Sequence, residues 1–338
     1  MPLPQDKPAQ DSHYMITSSN ILHLSYTQDL TEGGIAYALR SIPYLYNRIQ
    51  SYSYDALRRA VANAAVQLAF RRYLSEQNIP FEVKGAMPFT EHDRYDVSLG
   101  GRRCDLQTFL ITGREQIAEL RRNPKTLLRA PALVASDQHA GEGHSSFDVY
   151  LFAFLAGLVT TLAEDVQKTI ESKQSHYFVH VMPETWNRPT QWNPLGRLVL
   201  KSESEKTQTI EIGGQAEGRE MQSCRVELPP RTRVEVQNRF FSLSYIHTHL
   251  APEARIGIRS PARNETYLIG ARDWGNIWVY GTDVWLAGYI TRDEFSRRAS
   301  FHQAGSSVFP YTATHVKNLS VPVSELKPLS ELFERAKM

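Results

Sequence analysis

Two helical patterns of apolar residues open the chain. Leu30 to Ile49 repeats apolar side chains at Ile35, Leu39, Ile42 and Leu45, with Pro43 expected to kink or split the helix. Tyr54 to Gln77 carries a cleaner stripe through Leu57, Val61, Ala64, Leu68 and Ala69, flanked by arginines and closed by Pro80. Before them, Asn20 to Tyr26 has the composition of a short strand. After them the period shortens to two, and Phe81 to Lys84, Tyr95 to Leu99 and Arg102 to Ile111 are expected as strands. Arg114 to Asn123 is amphipathic at helical spacing, Ala130 to Ser136 is a short apolar run, and Asp137 to Ser146 is a polar loop rich in Gly and His. The run Val149 to Ala163 is the most apolar of the chain, yet it is shorter than the roughly 18 to 20 residues a membrane-spanning helix needs. It is expected as a buried core strand that passes into a helix.

From His176 to Thr248 the texture becomes a series of short alternating segments punctuated by Gly, Pro and Asn, the pattern of a β-sandwich or small barrel. Glu265 to Ile269, Ile277 to Tyr280 and Val284 to Ile290, followed by helical Arg292 to Ala299 and Leu329 to Ala336, bring back the α/β texture. The expected organisation is a flexible tail over 1–19, an α/β core over 20–175, an inserted β-rich domain over 176–262, and a return to the α/β core over 263–338.

Composition narrows the classes. The 338 residues hold 38 Lys+Arg and 36 Asp+Glu, a formal charge of +2, which excludes a polycationic nucleic-acid coat and an acidic disordered tail. With 41% hydrophobic residues the chain can bury a sizeable core. Cys104 and Cys224 are too few for a disulfide framework, and Met1 to Gln10 has no apolar block of a secretory signal, so a reducing cytoplasmic setting and no membrane association are expected.

The sharpest chemistry lies in the predicted strands Tyr95 to Leu99 and Arg102 to Ile111. Gly100-Gly101 between Tyr95–Leu99 and Arg102–Ile111 suits a two-residue hairpin turn with positive φ. That turn pairs Leu99 with Arg102, Ser98 with Arg103, Val97 with Cys104, and Asp96 with Asp105. Cross-strand neighbours have Cβ atoms roughly 5 Å apart, so the two carboxylates repel unless a cation bridges them. Gln107 shares the face of Asp105, while Cys104, Leu106 and Thr108 take the other face, Cys104 as an ordinary buried thiol. Two carboxylates and an amide form a hard-ligand set suited to Mg²⁺ or Mn²⁺. The competing reading is a solvated edge hairpin with Arg102 and Arg103 neutralising the acids.

A helix, then Asp96, then Asp105-Leu106-Gln107 nine residues on, resembles the PD-(D/E)xK nucleases of the restriction-endonuclease-like fold. The helix segment Ala65 to Leu74, the strand Asp148 to Phe154, and Trp285 to Ile290 with Asp293-Glu294-Phe295 resemble that family's flanking helix, following strand and closing strand and helix. The likeness covers about residues 50–165 and 265–300 through short motifs in the right order. It implies a mixed sheet flanked by helices, a Mg²⁺- or Mn²⁺-dependent DNA endonuclease, Asp96 and Asp105 as metal ligands, and restriction or defence against foreign DNA as its setting.

Two departures accompany it. Gln107 stands where the family usually has lysine, and Gln67 where its helix often has glutamate. A glutamine can orient water or a ligand but carries no charge. Lys84, just before the hairpin, is the candidate to lend the missing ammonium. Arg71, Arg102 and Arg103 are candidate phosphate contacts. A homodimer, or a protein partner docked through the β-rich insertion, fits a double-strand cutter by analogy. The alternatives are a nuclease-fold DNA-binding or scaffold protein without activity, an inactivated variant of an active nuclease, and, from another class, a carbohydrate- or protein-binding β-sandwich joined to an unrelated α/β domain. The Asp137–His144 loop lacks the context of a zinc site and is expected as a mobile loop near the active site.

Overall fold

The apolar run beginning at Val149 becomes the middle of the molecule because a strand buried on both faces needs no polar alternation. In the computed structural model, which describes residues 16–45, 54–83, 96–141, 143–159, 168, 171–174, 176–250 and 252–338, nine of the ten residues of strand Val149–Leu158 are buried. It pairs in parallel with Arg102–Ile111 on one side and antiparallel with Tyr280–Thr291 on the other. Val97–Leu99 and Leu22–Leu24 complete a five-stranded mixed sheet at its two edges. The fold is mixed α/β, a mixed sheet with helices together with separate antiparallel sheets.

Each face of this sheet has its own core. The Tyr54–Glu76 helix buries Leu57, Val61, Ala65, Val66, Phe70 and Leu74 against Cys104, Leu106, Leu151, Ala153 and Leu286. The opposite face stacks Phe109, Tyr150, Phe152 and Phe154 against Ile117 and Leu120 of helix Arg114–Arg122 and Phe295 of helix Arg292–Arg298. The Gln28–Leu45 helix runs through Pro43 without a break. At the other end, Leu329–Lys337 forms the last helix, burying Leu329 and Leu332 in the first core.

The β-rich segment forms two antiparallel sheets. Five strands run in the order Gly275–Asn276, Phe178–Val181, Ser242–Thr248, Gln208–Gln215, Met221–Leu228; four run in the order Arg233–Glu235, Val199–Ser202, Ile256–Ser260, Glu265–Ile269. Leu200, Ile210, Ile212, Phe240, Leu243, Ile256 and Ile258 fill the space they enclose. Glu265–Ile269, expected back in the α/β core, pairs residue for residue with Ile256–Ser260 instead, so the β-rich part extends to Asn276 and the chain rejoins the central sheet at Tyr280. An alternating hairpin looks the same in sequence whichever sheet receives it.

Three further features were not legible. Ser300–His302, Asn318–Pro322 and Pro131–Ala135 make a small separate antiparallel sheet. The start of the polar loop after Ser136 is one helical turn, Ser136–Ala140. Ile16, placed in the expected tail, is buried and its N–H donates to the Ser324 carbonyl at 3.2 Å. Among the described residues no helix is long and apolar enough to cross a membrane.

Candidate functional site

The hairpin forms with the register its glycines dictate. Gly100 and Gly101 both take positive φ, 53° and 72°, and Leu99, Ser98 and Val97 pair with Arg102, Arg103 and Cys104. The regular register ends there: the Asp96 N–H donates to the same Cys104 carbonyl at 2.9 Å, so Asp96 and Val97 both stand against Cys104 and the expected direct pairing of Asp96 with Asp105 does not form. Cys104 is fully buried, and burial pushes its thiol up to about 12, the inert thiol expected.

Asp96 is gripped from the long helix and from the neighbouring strand. Gln67 Nε2 donates to Asp96 Oδ1 at 2.6 Å, and the Leu106 N–H donates to Oδ2 at 2.7 Å. Arg71, one helical turn beyond Gln67, donates from Nη2 to the Asp96 carbonyl at 3.1 Å, while its Nε is buried without a partner. The helix thus positions the acid with an amide and its backbone with a guanidinium. Arg71, considered above for phosphate contact, is turned inward.

Asp105 has a different environment. Its Oδ2 accepts from Gln138 Nε2 at 2.8 Å. Burial and the Asp96 carboxylate push its acidity up to about 7, against the opposing pull of the Gln138 hydrogen bond, the Arg292 charge and the Gln107 amide. Of the expected Asp96–Asp105–Gln107–Gln67 set, Gln67 of the long helix holds Asp96 and Gln107 hydrogen-bonds Asp105, and the two halves meet through the effect of the Asp96 charge on Asp105. Lys84 lies outside the described residues.

The parallel pairing of Asp105 with Tyr150 adds groups that sequence reasoning missed. Arg292, buried at the start of its helix, donates from Nη1 to Tyr150 Oη at 2.6 Å and from Nη2 to the His139 carbonyl. His139 Nδ1 lies 3.0 Å from Tyr150 Oη, and its Nε2 lies 3.0 Å from Ser296 Oγ. Burial first, then the Arg292 charge, holds His139 below the usual imidazole range, so it is neutral at pH 7, and burial pushes the Tyr150 phenol up. Gln138 and His139 belong to the loop expected near the active site; Tyr150 was hidden inside an apolar run, and only strand pairing reveals it.

The other basic residues have protein partners or lie at the turn. Arg103 forms an ion pair with the nearly buried Asp148 at 3.1 Å and donates to the Gly143 carbonyl at 3.0 Å. Arg102 sits partly exposed at the hairpin turn, close enough for its charge to act on Tyr289. Trp278, Tyr280 and Trp285 are buried in the cores, as packing rather than base stacking.

Among the described residues no three His, Cys, Asp or Glu side chains gather in a metal-binding group. A divalent ion at the hairpin would rest on the two carboxylates, with amide and water oxygens completing its shell. That donor set fits Mg²⁺ or Mn²⁺, which commonly bind through one or two carboxylates and keep several waters, and their charge would relieve the repulsion that raises Asp105. Comparison of the chain with family models, with curated proteins and with solved structures found no match in any of the three.

Proposed function

We propose that this chain is a divalent-metal-dependent DNA endonuclease of the restriction-endonuclease-like type, hydrolysing phosphodiester bonds. The observation that carries the reading is the pair of carboxylates at the open end of the hairpin, Asp96 just before its first strand and Asp105 on its second, each oriented by an amide donor, with Asp105 pushed up to about 7 by burial and by Asp96. Paired acids with displaced acidity in a built polar site are characteristic of reaction centres. Asp96 and Asp105 would hold the cation, Gln67 keeps Asp96 in place from the helix, and Gln107 would orient a water through its amide. Mg²⁺ or Mn²⁺, when bound, neutralises charge on the scissile phosphate and lowers the pKa of a coordinated water. The two-sheet β-rich part serves as a recognition or assembly module, and restriction of foreign DNA is the setting this activity suits.

The second reading, a DNA-binding or scaffold protein of the same fold without activity, is favoured by one observation: protein amides already satisfy both carboxylates, and neither glutamine adds charge. Cleavage of plasmid DNA in Mg²⁺ and in Mn²⁺ separates the two. The nuclease reading expects nicking or linearisation that disappears in Asp105→Ala and rises in Gln107→Lys. DNA binding with no cleavage by either the natural chain or Gln107→Lys, in both metals, establishes the second reading.

A further inference from the structure

A hydrolytic site of this kind gains from a fixed positive charge, and Gln107 cannot supply one. Arg292 donates to the hydroxyl of Tyr150, the parallel-strand partner of Asp105, and its charge acts on both Asp105 and the Tyr150 phenol, whereas Arg71 is committed to the Asp96 backbone carbonyl. It is buried, with 8% of its surface exposed, and the partners of its Nη atoms are the neutral Tyr150 hydroxyl and the neutral His139 carbonyl. A buried cation given neutral partners keeps its charge unquenched, an arrangement that costs stability unless the charge has a use.

The hydrogen bonds around it have one consistent direction. A guanidinium can only donate, so Tyr150 Oη accepts from Arg292 and its own proton goes to His139 Nδ1 at 3.0 Å. His139 then carries its proton on Nε2 and donates it to Ser296 Oγ at 3.0 Å. Ser296 in turn donates to the Arg292 carbonyl at 2.8 Å. The circuit starts and ends on Arg292, fastening the side chain to its own backbone through three residues, Tyr150, His139 and Ser296. Phe295 closes the space behind it, its ring 5.3 Å from Tyr150 and 5.4 Å from His139. Such closure leaves the guanidinium little freedom to swing away from the acid pair.

We infer that Arg292 is the fixed cation of this site, a positioning residue that supplies the charge Gln107 lacks, and that the Tyr150–His139–Ser296 circuit serves to hold it beside Asp105. The inference rests on the metal-site reading of Asp96 and Asp105 but not on the reaction that follows.

The test uses the full chain with Mn²⁺ as probe. A fixed positive charge next to a cation site weakens cation binding while favouring an anionic substrate, so its removal moves the two in opposite directions. Arg292→Met should tighten Mn²⁺ binding, measured by electron paramagnetic resonance of free ion, roughly three- to tenfold, and lower kcat for DNA cleavage. Arg292→Lys, which keeps the charge, should leave Mn²⁺ affinity near the natural value. Tyr150→Phe cuts the circuit while leaving the charge, and should tighten Mn²⁺ by a smaller factor; it also stands in should Arg292→Met fail to fold. A structural role for Arg292 would weaken binding and turnover together. Unchanged or weaker Mn²⁺ binding in folded Arg292→Met, or in Tyr150→Phe where only that variant folds, overturns the inference. Tightening in the variants of a chain that cleaves no DNA sustains it and removes the nuclease reading alone.

Discussion

Replacing Asp105 with asparagine should stabilise the metal-free protein above neutral pH. In the folded chain this carboxyl takes up its proton at about 7, against the ordinary 3.8, with burial and Asp96 as the causes. Between those two values the folded state holds a proton that the unfolded chain has released, so the contribution of Asp105 to stability is greatest at low pH and declines as pH rises from about 4 to 7. Above that, the natural protein carries the full cost of two adjacent carboxylates. At roughly 1.4 kcal/mol per pH unit, the ceiling of that cost is about 4 kcal/mol. Asparagine keeps the shape and its oxygen still accepts from Gln138, so Asp105→Asn should recover about 2–3 kcal/mol of it. In a chain of 338 residues that is a rise in Tm of roughly 3–4 °C. Thermal unfolding followed by circular dichroism in EDTA, at pH 5 and at pH 8, measures the difference. It should be full at pH 8 and less than half as large at pH 5, where Asp105 is still protonated in the folded chain but has lost its proton in the unfolded one. Mg²⁺ should close the gap at pH 8, because an ion at 100 times its Kd adds about 2.7 kcal/mol to the unsubstituted protein and nothing to the variant. An Asp105→Asn variant that is less stable at pH 8 in EDTA, or equally shifted at both pH values, refutes the reasoning.

Other outcomes follow from the same geometry. Gln138→Ala removes a donor that pulls the Asp105 acidity down, so the pH at which Mn²⁺ begins to bind should move up, read from binding isotherms at successive pH values. His247 is buried, its Nε2 has no partner, and its ring stacks on Tyr177 at 5.6 Å. Burial holds its acidity down to about 3, so the unfolded chain gains a proton the folded chain refuses, and stability falls as pH drops below about 6.5. His247→Phe should flatten that acid loss, visible as a smaller Tm difference between pH 5 and pH 8. Gly100→Ala forces a side chain into a φ of 53°, with its Cβ 3.2 Å from the Arg335 backbone of the last helix, and should cost about 1–2 kcal/mol in urea unfolding. Phe295→Ala should cost about 3–5 kcal/mol and disorder the Arg292 circuit with it.

The parts of the molecule that sequence revealed are those ruled by short-range chemistry. Gly100-Gly101 dictates the hairpin register as far as Val97 against Cys104, and the departure at Asp96, whose N–H bonds the same Cys104 carbonyl, left no mark in the sequence. The stripe of the Tyr54–Glu76 helix and the unbroken apolar run from Val149 identify both layers of the first core. What sequence withheld depends on pairing between distant segments. Tyr150 joins Asp105 only because two strands run parallel, and Arg292 arrives from the end of a strand far along the chain. Glu265–Ile269 could pair in either sheet, and its partner Ile256–Ser260 decides it. Arg71 and Arg103 show the limit of counting basic residues: arginines near acids are as readily structural ties to Asp96 and Asp148 as phosphate contacts.

The central strand has a consequence for how the chain is made. Val149–Leu158 lies between Arg102–Ile111, which precedes it closely, and Tyr280–Thr291, which begins about 120 residues later, so one of its edges has no partner until the whole β-rich segment has been synthesised. During that interval the nascent chain displays an almost wholly apolar strand with open hydrogen-bonding groups, the feature most prone to pair with another copy. Rapid folding of the β-rich segment as it emerges would shorten the delay by bringing Tyr280 back to Leu158. Slow translation or a destabilised β-rich segment should therefore lower the soluble yield of this protein even when the mature site is untouched.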